Sequence, residues 1–118
     1  MCRLIKGLTQ TKPHLPSARK LTDRLVSLAN SEVHYGVQLE YWPFKKIRSV
    51  PNGTCAFYRP KYNHGVVFAT WKNNTSDNLA LARSVGRELA DMVASGQEEY
   101  IGKKFEPGYG NYGTLIWF

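Results

Sequence analysis

Hydrophobic positions along this chain repeat with two different periods, and the places where the period changes divide it into elements. Over residues 34–42 the pattern alternates. Val37, Leu39 and Tyr41 share one side of an extended segment, while Gln38, Glu40 and Trp42 share the other. Over 65–72 alternation places Val66, Phe68 and Thr70 on one face and Val67, Ala69 and Trp71 on the opposite one. Both faces are largely apolar, which predicts a central strand covered on both sides. Residues 54–59 form a further strand candidate, set off by the Pro51-Asn52-Gly53 turn and by a second turn over 60–65.

Two other stretches have the helical period. Leu21, Leu25 and Leu28 recur on one face, with Arg19, Asp23 and Arg24 away from it, and Ser17 is the expected N-cap of a helix reaching about residue 30. Leu79, Ala82, Val85, Leu89, Met92 and Val93 draw a longer apolar stripe through 76–95, opened by Thr75 or Ser76 and closed by Gly96 as C-cap. Gly86 lies inside that stripe. It weakens the helix by about 1 kcal/mol relative to Ala, which predicts close approach of another backbone there. Pro13 and Pro16 interrupt the start of the chain, so 1–16 is expected as a basic N-terminal arm before a single domain over 17–118. Adjacent strands with helices before and after them predict an α+β fold. Its sheet is antiparallel with helices packed on one face, a ferredoxin-like or substrate-domain-like layer.

Composition narrows the function classes. The net charge is +7, from 16 Lys and Arg against 9 Asp and Glu. The cations are scattered, no more than two are adjacent, and neither zinc-finger spacing nor an RNA-binding aromatic signature is present, so a solvated basic surface is expected rather than a nucleic-acid interface. Cys2 and Cys55 cannot form a disulfide scaffold, and His14, His34 and His64 fall in unrelated segments without metal-ligand spacing. No apolar run is long enough to span a bilayer, and the first residues lack the apolar core of a signal peptide. A cytoplasmic location is therefore expected, although Asn52-Gly53-Thr54, Asn73-Asn74-Thr75 and Asn74-Thr75-Ser76 have the form of N-glycosylation acceptors.

Candidate chemistry is sparse. There is no nucleophile elbow, no Walker loop and no GxGxxG opening a helix. Glu98 and Glu99 are adjacent on a helix and so do not share a face. The polar side of 34–42 has two readings: a solvent-facing surface, or a pocket wall in which Gln38 and Glu40 beside Trp42 suit a small polar ligand.

One resemblance draws these segments together. Leu39-Glu40-Tyr41-Trp42, the run from Val50 through Thr54-Cys55-Ala56-Phe57 to Arg59, the strand over 66–71 and Tyr109-Gly110-Asn111-Tyr112 follow one another in order. That order resembles the C-terminal, substrate-domain part of FAD-linked oxidases of the berberine bridge enzyme type, across residues 35–113. The resemblance implies an oxidoreductase of secondary metabolism that oxidises a small organic substrate by hydride transfer to FAD. It implies substrate contacts from Gln38, Phe68 and Thr70, and cofactor contacts from Asn111 and Tyr112. In that family a Tyr or Glu on the substrate sheet acts as base beside the flavin, and Glu40 and Tyr41 are the candidates; packing or surface roles remain open for each. The family's large flavin domain, with its His and Cys attachment points, has no counterpart in these 118 residues. The chain is therefore expected to be a truncated layer that does not hold FAD alone and works with a separate flavin-bearing chain. The alternative is a stand-alone α+β small-molecule-binding module or small dimeric non-redox enzyme, with two copies pairing through the open sheet.

Overall fold

Alternation begins earlier in the chain than its prolines suggest. The computed structural model describes residues 1–41, 45, 49, 51, 63–102 and 114–117. In it, Cys2–Gln10 forms a strand, β1, in place of the expected basic arm. Cys2, Leu4, Lys6, Leu8 and Gln10 fall on one side of it. Cys2 and Leu4 are buried at 4% and 2% exposure. Lys6 and Gln10 break the apolar phase, which is why the strand is hard to read from hydrophobicity alone.

The remaining described elements are α1 (Leu15–Ser27), β2 (His34–Leu39), β3 (Asn63–Trp71), α2 (Ser76–Ile101) and β4 (Thr114–Trp117). The sheet has four strands in the order β2-β3-β1-β4, and every neighbouring pair is antiparallel. β1 and β2 flank β3, while β3 and β4 flank β1, so each helix connects two strands that leave room for a third between them. This is the split βαβ arrangement of the ferredoxin-like fold. The α+β class, the antiparallel sheet and the helices on one face are as the sequence predicts.

Both helices differ from expectation at their ends. α1 starts before Ser17, with His14 extended at the N-cap position and Pro16 in the first turn, where its missing N–H is no loss. Ser17 instead shares a 2.6 Å hydrogen bond with His14 Nδ1. α2 opens at Thr75, whose hydroxyl accepts from the Asn78 N–H at 3.2 Å, and Asp77 complements the dipole in its first turn. It continues through Gly96 and stops at Gly102, which takes the left-handed conformation at φ +73°. Gly96 is buried inside the helix, where any Cβ would collide with Ser17 of α1. It is a helix-contact glycine, not a cap. What approaches Gly86 is the Leu4 side chain of β1, 3.3 Å from where a Cβ would stand, and not a backbone.

The core lies between sheet and helices. At one end Cys2, Leu4, Val33, Ala69, Trp71 and Ala82 pack together; at the other, Leu21 joins Val67, Val85, Leu89, Ala90 and Val93. β3 is central, as predicted, but its second face is covered only in part: His64 is buried there, Val66 and Thr70 are half-buried, and Phe68 remains 39% exposed. The strand candidate at 54–59 and Trp42 lie outside the described residues.

Candidate functional site

Strand register decides which of the candidate residues can act together. On β2, Tyr35, Val37 and Leu39 face the helices, so His34, Gly36 and Gln38 face the open side. On β3 that side carries Val66, Phe68 and Thr70. Phe68 sits between Gly36 on β2 and Ile5 on β1, and its ring lies over Gly36 at a distance no side chain at that position would permit. The glycine thus gives the aromatic ring a seat on the sheet surface. Gln38 pairs with Val66, one step along the same face from Phe68, within reach of an aromatic side chain across the diagonal. Beyond the strand, Gln38 Nε2 donates to Glu40 Oε1 at 3.1 Å, and the Glu40 N–H donates to the His64 carbonyl at 2.9 Å.

Gln38 therefore stands between Glu40, its hydrogen-bond partner, and Phe68, its diagonal neighbour; Glu40 itself lies opposite His64, four residues or about 13 Å along β3 from Phe68. Thr70 shares their face but not their place. It pairs with His34 and Arg3, six residues along β3 from His64, a separation of about 20 Å at strand rise. One small ligand cannot touch both Glu40 and Thr70.

Tyr41 is on the other side altogether. Its hydroxyl donates to Gln10 Oε1 at 2.9 Å, and Gln10 belongs to the helix-facing row of β1. Burial raises the Tyr41 phenol above its ordinary range. A phenol shifted in that direction holds its proton at neutral pH, so Tyr41 is suited to donate a hydrogen bond and not to act as base. The two residues considered for the base are thus separated by the sheet.

Behind Tyr41 is a cavity of about 240 Å³ between β1, α1 and α2, walled by Leu21, Leu39 and Val93. Gln97 lines it from α2 and is buried. Its Oε1 accepts from the Thr11 N–H and hydroxyl at 2.7 and 2.6 Å, and its Nε2 donates to the Lys12 carbonyl at 3.1 Å. That network ties the β1–α1 connection to the long helix. Neither Gln10 nor Gln97 stands out in the sequence. The one available signal for Gln10 is its phase with Cys2, Leu4 and Leu8.

Asn111 and Tyr112, the residues that would approach an isoalloxazine, lie outside the described residues. A cavity of about 640 Å³ runs between α1 and α2, with Lys20, Arg87, Glu88, Asp91 and Glu99 in its lining. Its lining carries no aromatic side chain on which an isoalloxazine ring would stack. Among the described residues, no group of His, Cys, Asp and Glu could hold a metal ion, and no helix is long and apolar enough to cross a membrane.

No protein-family model, curated protein or solved structure matches the chain in comparison.

Proposed function

We propose that the chain binds a small organic metabolite on the open face of its sheet, at Gln38, Glu40 and Phe68, and does so beside an electron acceptor carried by a separate flavin-bearing chain. The reading follows the resemblance to the substrate layer of FAD-linked oxidases. The observation that carries it is a hydrogen-bonded amide–carboxylate pair on the same sheet face as an exposed aromatic ring, with Gln38 next to both. In this reading Phe68 offers a flat apolar contact for a ring, and Glu40, oriented by Gln38, accepts a hydrogen bond or a proton from a ligand hydroxyl. The redox chemistry belongs to the flavin; this chain binds and orients.

Calorimetric titration with 4-hydroxybenzyl alcohol tests the reading. Glu40→Gln and Phe68→Ser are each expected to weaken binding by about tenfold, the loss of one hydrogen bond or one ring contact. Unchanged affinity in both variants contradicts it.

A second reading has an observation of its own. Ile5, Val66 and Phe68 make an apolar strip across the centre of the same face, which suits pairing with a second copy of the chain. Sedimentation equilibrium should then show a dimer that Phe68→Glu converts to monomer. A native monomer at high micromolar concentration removes this reading.

A further inference from the structure

Lys6 breaks the apolar phase of β1, and nothing on the open face gives it a role. It stands in the helix-facing row with Cys2, Leu4 and Leu8, half-buried, where packing alone has no use for a charge. A cleft of about 390 Å³ opens there between strand and helix, lined by Leu4 and Lys6 from β1 and by Arg83, Gly86 and Arg87 from α2. Three of these five residues are cations and none is an acid. Arg83 and Arg87 are exposed, so a solute reaches them directly. They are four residues apart on α2 and therefore neighbours on one face, where like charges destabilise a helix. The Arg87 Nε donates to the Arg83 carbonyl at 3.3 Å, which brings its guanidinium back over the turn that carries Arg83. Among the described residues no carboxylate pairs with Lys6, Arg83 or Arg87. The acids next to them in α2, Glu88 and Asp91, line the groove on the α1 side, which Arg87 also borders, and Glu88 is held there by Arg24. Gly86 keeps the space between the cations clear: a Cβ would stand 3.3 Å from the Leu4 side chain, and anything longer would fill the cleft. Charges gathered in this way without a counter-ion of their own call for an anion.

We propose that this cleft is an anion site that takes the phosphate group of a small phosphate ester. Arginine forks match phosphate oxygens in pairs, and the lysine adds a further charge-assisted donor. Three cations about one position favour a dianion over a singly charged carboxylate. At about 390 Å³ the space admits the phosphate with a body of sugar size. The site lies on the helix side of the sheet, opposite Gln38 and Phe68, and does not depend on what the open face binds.

The test titrates ribose 5-phosphate, ribose and acetate into the isotope-labelled full chain at constant ionic strength, followed by NMR. Ribose 5-phosphate is expected to give saturable shifts at the Lys6 and Gly86 amides and at Nε of Arg83 and Arg87. Ribose should give none, and acetate should bind about tenfold more weakly or worse. Lys6→Met and Arg83→Gln should each weaken the phosphate ester by about tenfold, the loss of one charge-assisted contact. Arg19→Gln removes the same charge from an exposed position on α1 outside the cleft and should leave binding unchanged. Lys6→Met restores the apolar phase of β1, so its urea midpoint should not fall; should it fail to fold, Arg83→Gln at an exposed position decides the matter alone. Equal weakening by Arg19→Gln overturns the proposal, because the ester then answers only to the general positive charge of the chain. Equal affinity for acetate, absence of saturation, or binding unaltered by Arg83→Gln also overturns it. Shifts confined to Gln38, Glu40 and Phe68 do so too and leave the open-face reading untouched.

Discussion

The two faces of the sheet use the same strands for different ends. On the helix side, β1 and β3 present Leu4, Val67, Ala69 and Trp71, each at 2% exposure or less, to two helices. On the other side, the same β3 presents Val66, Phe68 and Thr70 without a covering layer among the described residues. A strand apolar on both faces would ordinarily sit between two layers. Here one face supplies the stability and the second is the one we propose for recognition, so substitutions on the two sides should differ in kind.

The largest effect belongs to the covered face. Leu89→Ala removes a fully buried side chain from the centre of the α2 contact and should cost about 3 kcal/mol, a large share of what so small a domain possesses. Phe68→Ala on the open face should cost about 1 kcal/mol, since its ring is only partly buried. Urea unfolding of the two variants breaks the contrast if Phe68→Ala is as damaging as Leu89→Ala.

The helix layer offers a sharper test at Gly96. A methyl there collides with Ser17, an overpacking that outweighs the roughly 1 kcal/mol gained in helix propensity, so Gly96→Ala should destabilise by about 1 kcal/mol. In a Ser17→Gly background the obstruction is gone and the same change should stabilise. A double-mutant cycle with one sign in both backgrounds would show that the helices do not meet at this point.

A smaller effect is expected at Tyr35, on the covered face. Its hydroxyl is buried without a partner among the described residues, and burial pushes its pKa up to about 12. The folded state thus favours the neutral phenol. That contribution is fully present below the unfolded value of about 10 and is lost as pH rises towards 12. Tyr35→Phe should lessen the alkaline loss of stability without lowering stability at pH 7. Urea midpoints between pH 8 and 11 check this, and an unaltered alkaline slope contradicts it.

The smallest effect is at the surface, where Arg24 grips Glu88 through two hydrogen bonds of 2.7 and 3.0 Å. Those bonds hold the Glu88 carboxyl below its ordinary range. The associated stability is present above the unfolded carboxylate pKa and disappears as pH falls through the lower, folded one. Both side chains are well exposed, at 35% and 43%, so solvent screens the pair. Glu88→Gln should slightly flatten the acid limb of the stability profile, and high salt should do the same to the native chain. An acid limb unchanged by either shows that the pair contributes nothing measurable.

Much of this contrast can be read along the chain. The stripe from Leu79 to Val93 marks α2, and the period-two runs place Gln38 with Glu40 and Phe68 with Thr70 before any coordinates are consulted. Three things resist such reading. β1 is obscured because Lys6 and Gln10 occupy core-facing positions and two prolines follow. Gly96 has the appearance of a helix end, yet it marks where another helix passes, which only the tertiary arrangement reveals. The site is legible in its faces but not in its distances. Alternation puts Glu40 and Thr70 on one side without saying that six residues of strand part them, and it cannot show that Tyr41 finds Gln10.

The most direct measurement is a residue-by-residue NMR map of the chain titrated with 4-hydroxybenzyl alcohol. The account predicts that the amides of Gln38, Glu40 and Phe68 shift together along one binding curve while Leu89 and Val93 hold still. Shifts centred on the helix-facing residues, or no saturable shifts on the open face at all, would contradict it.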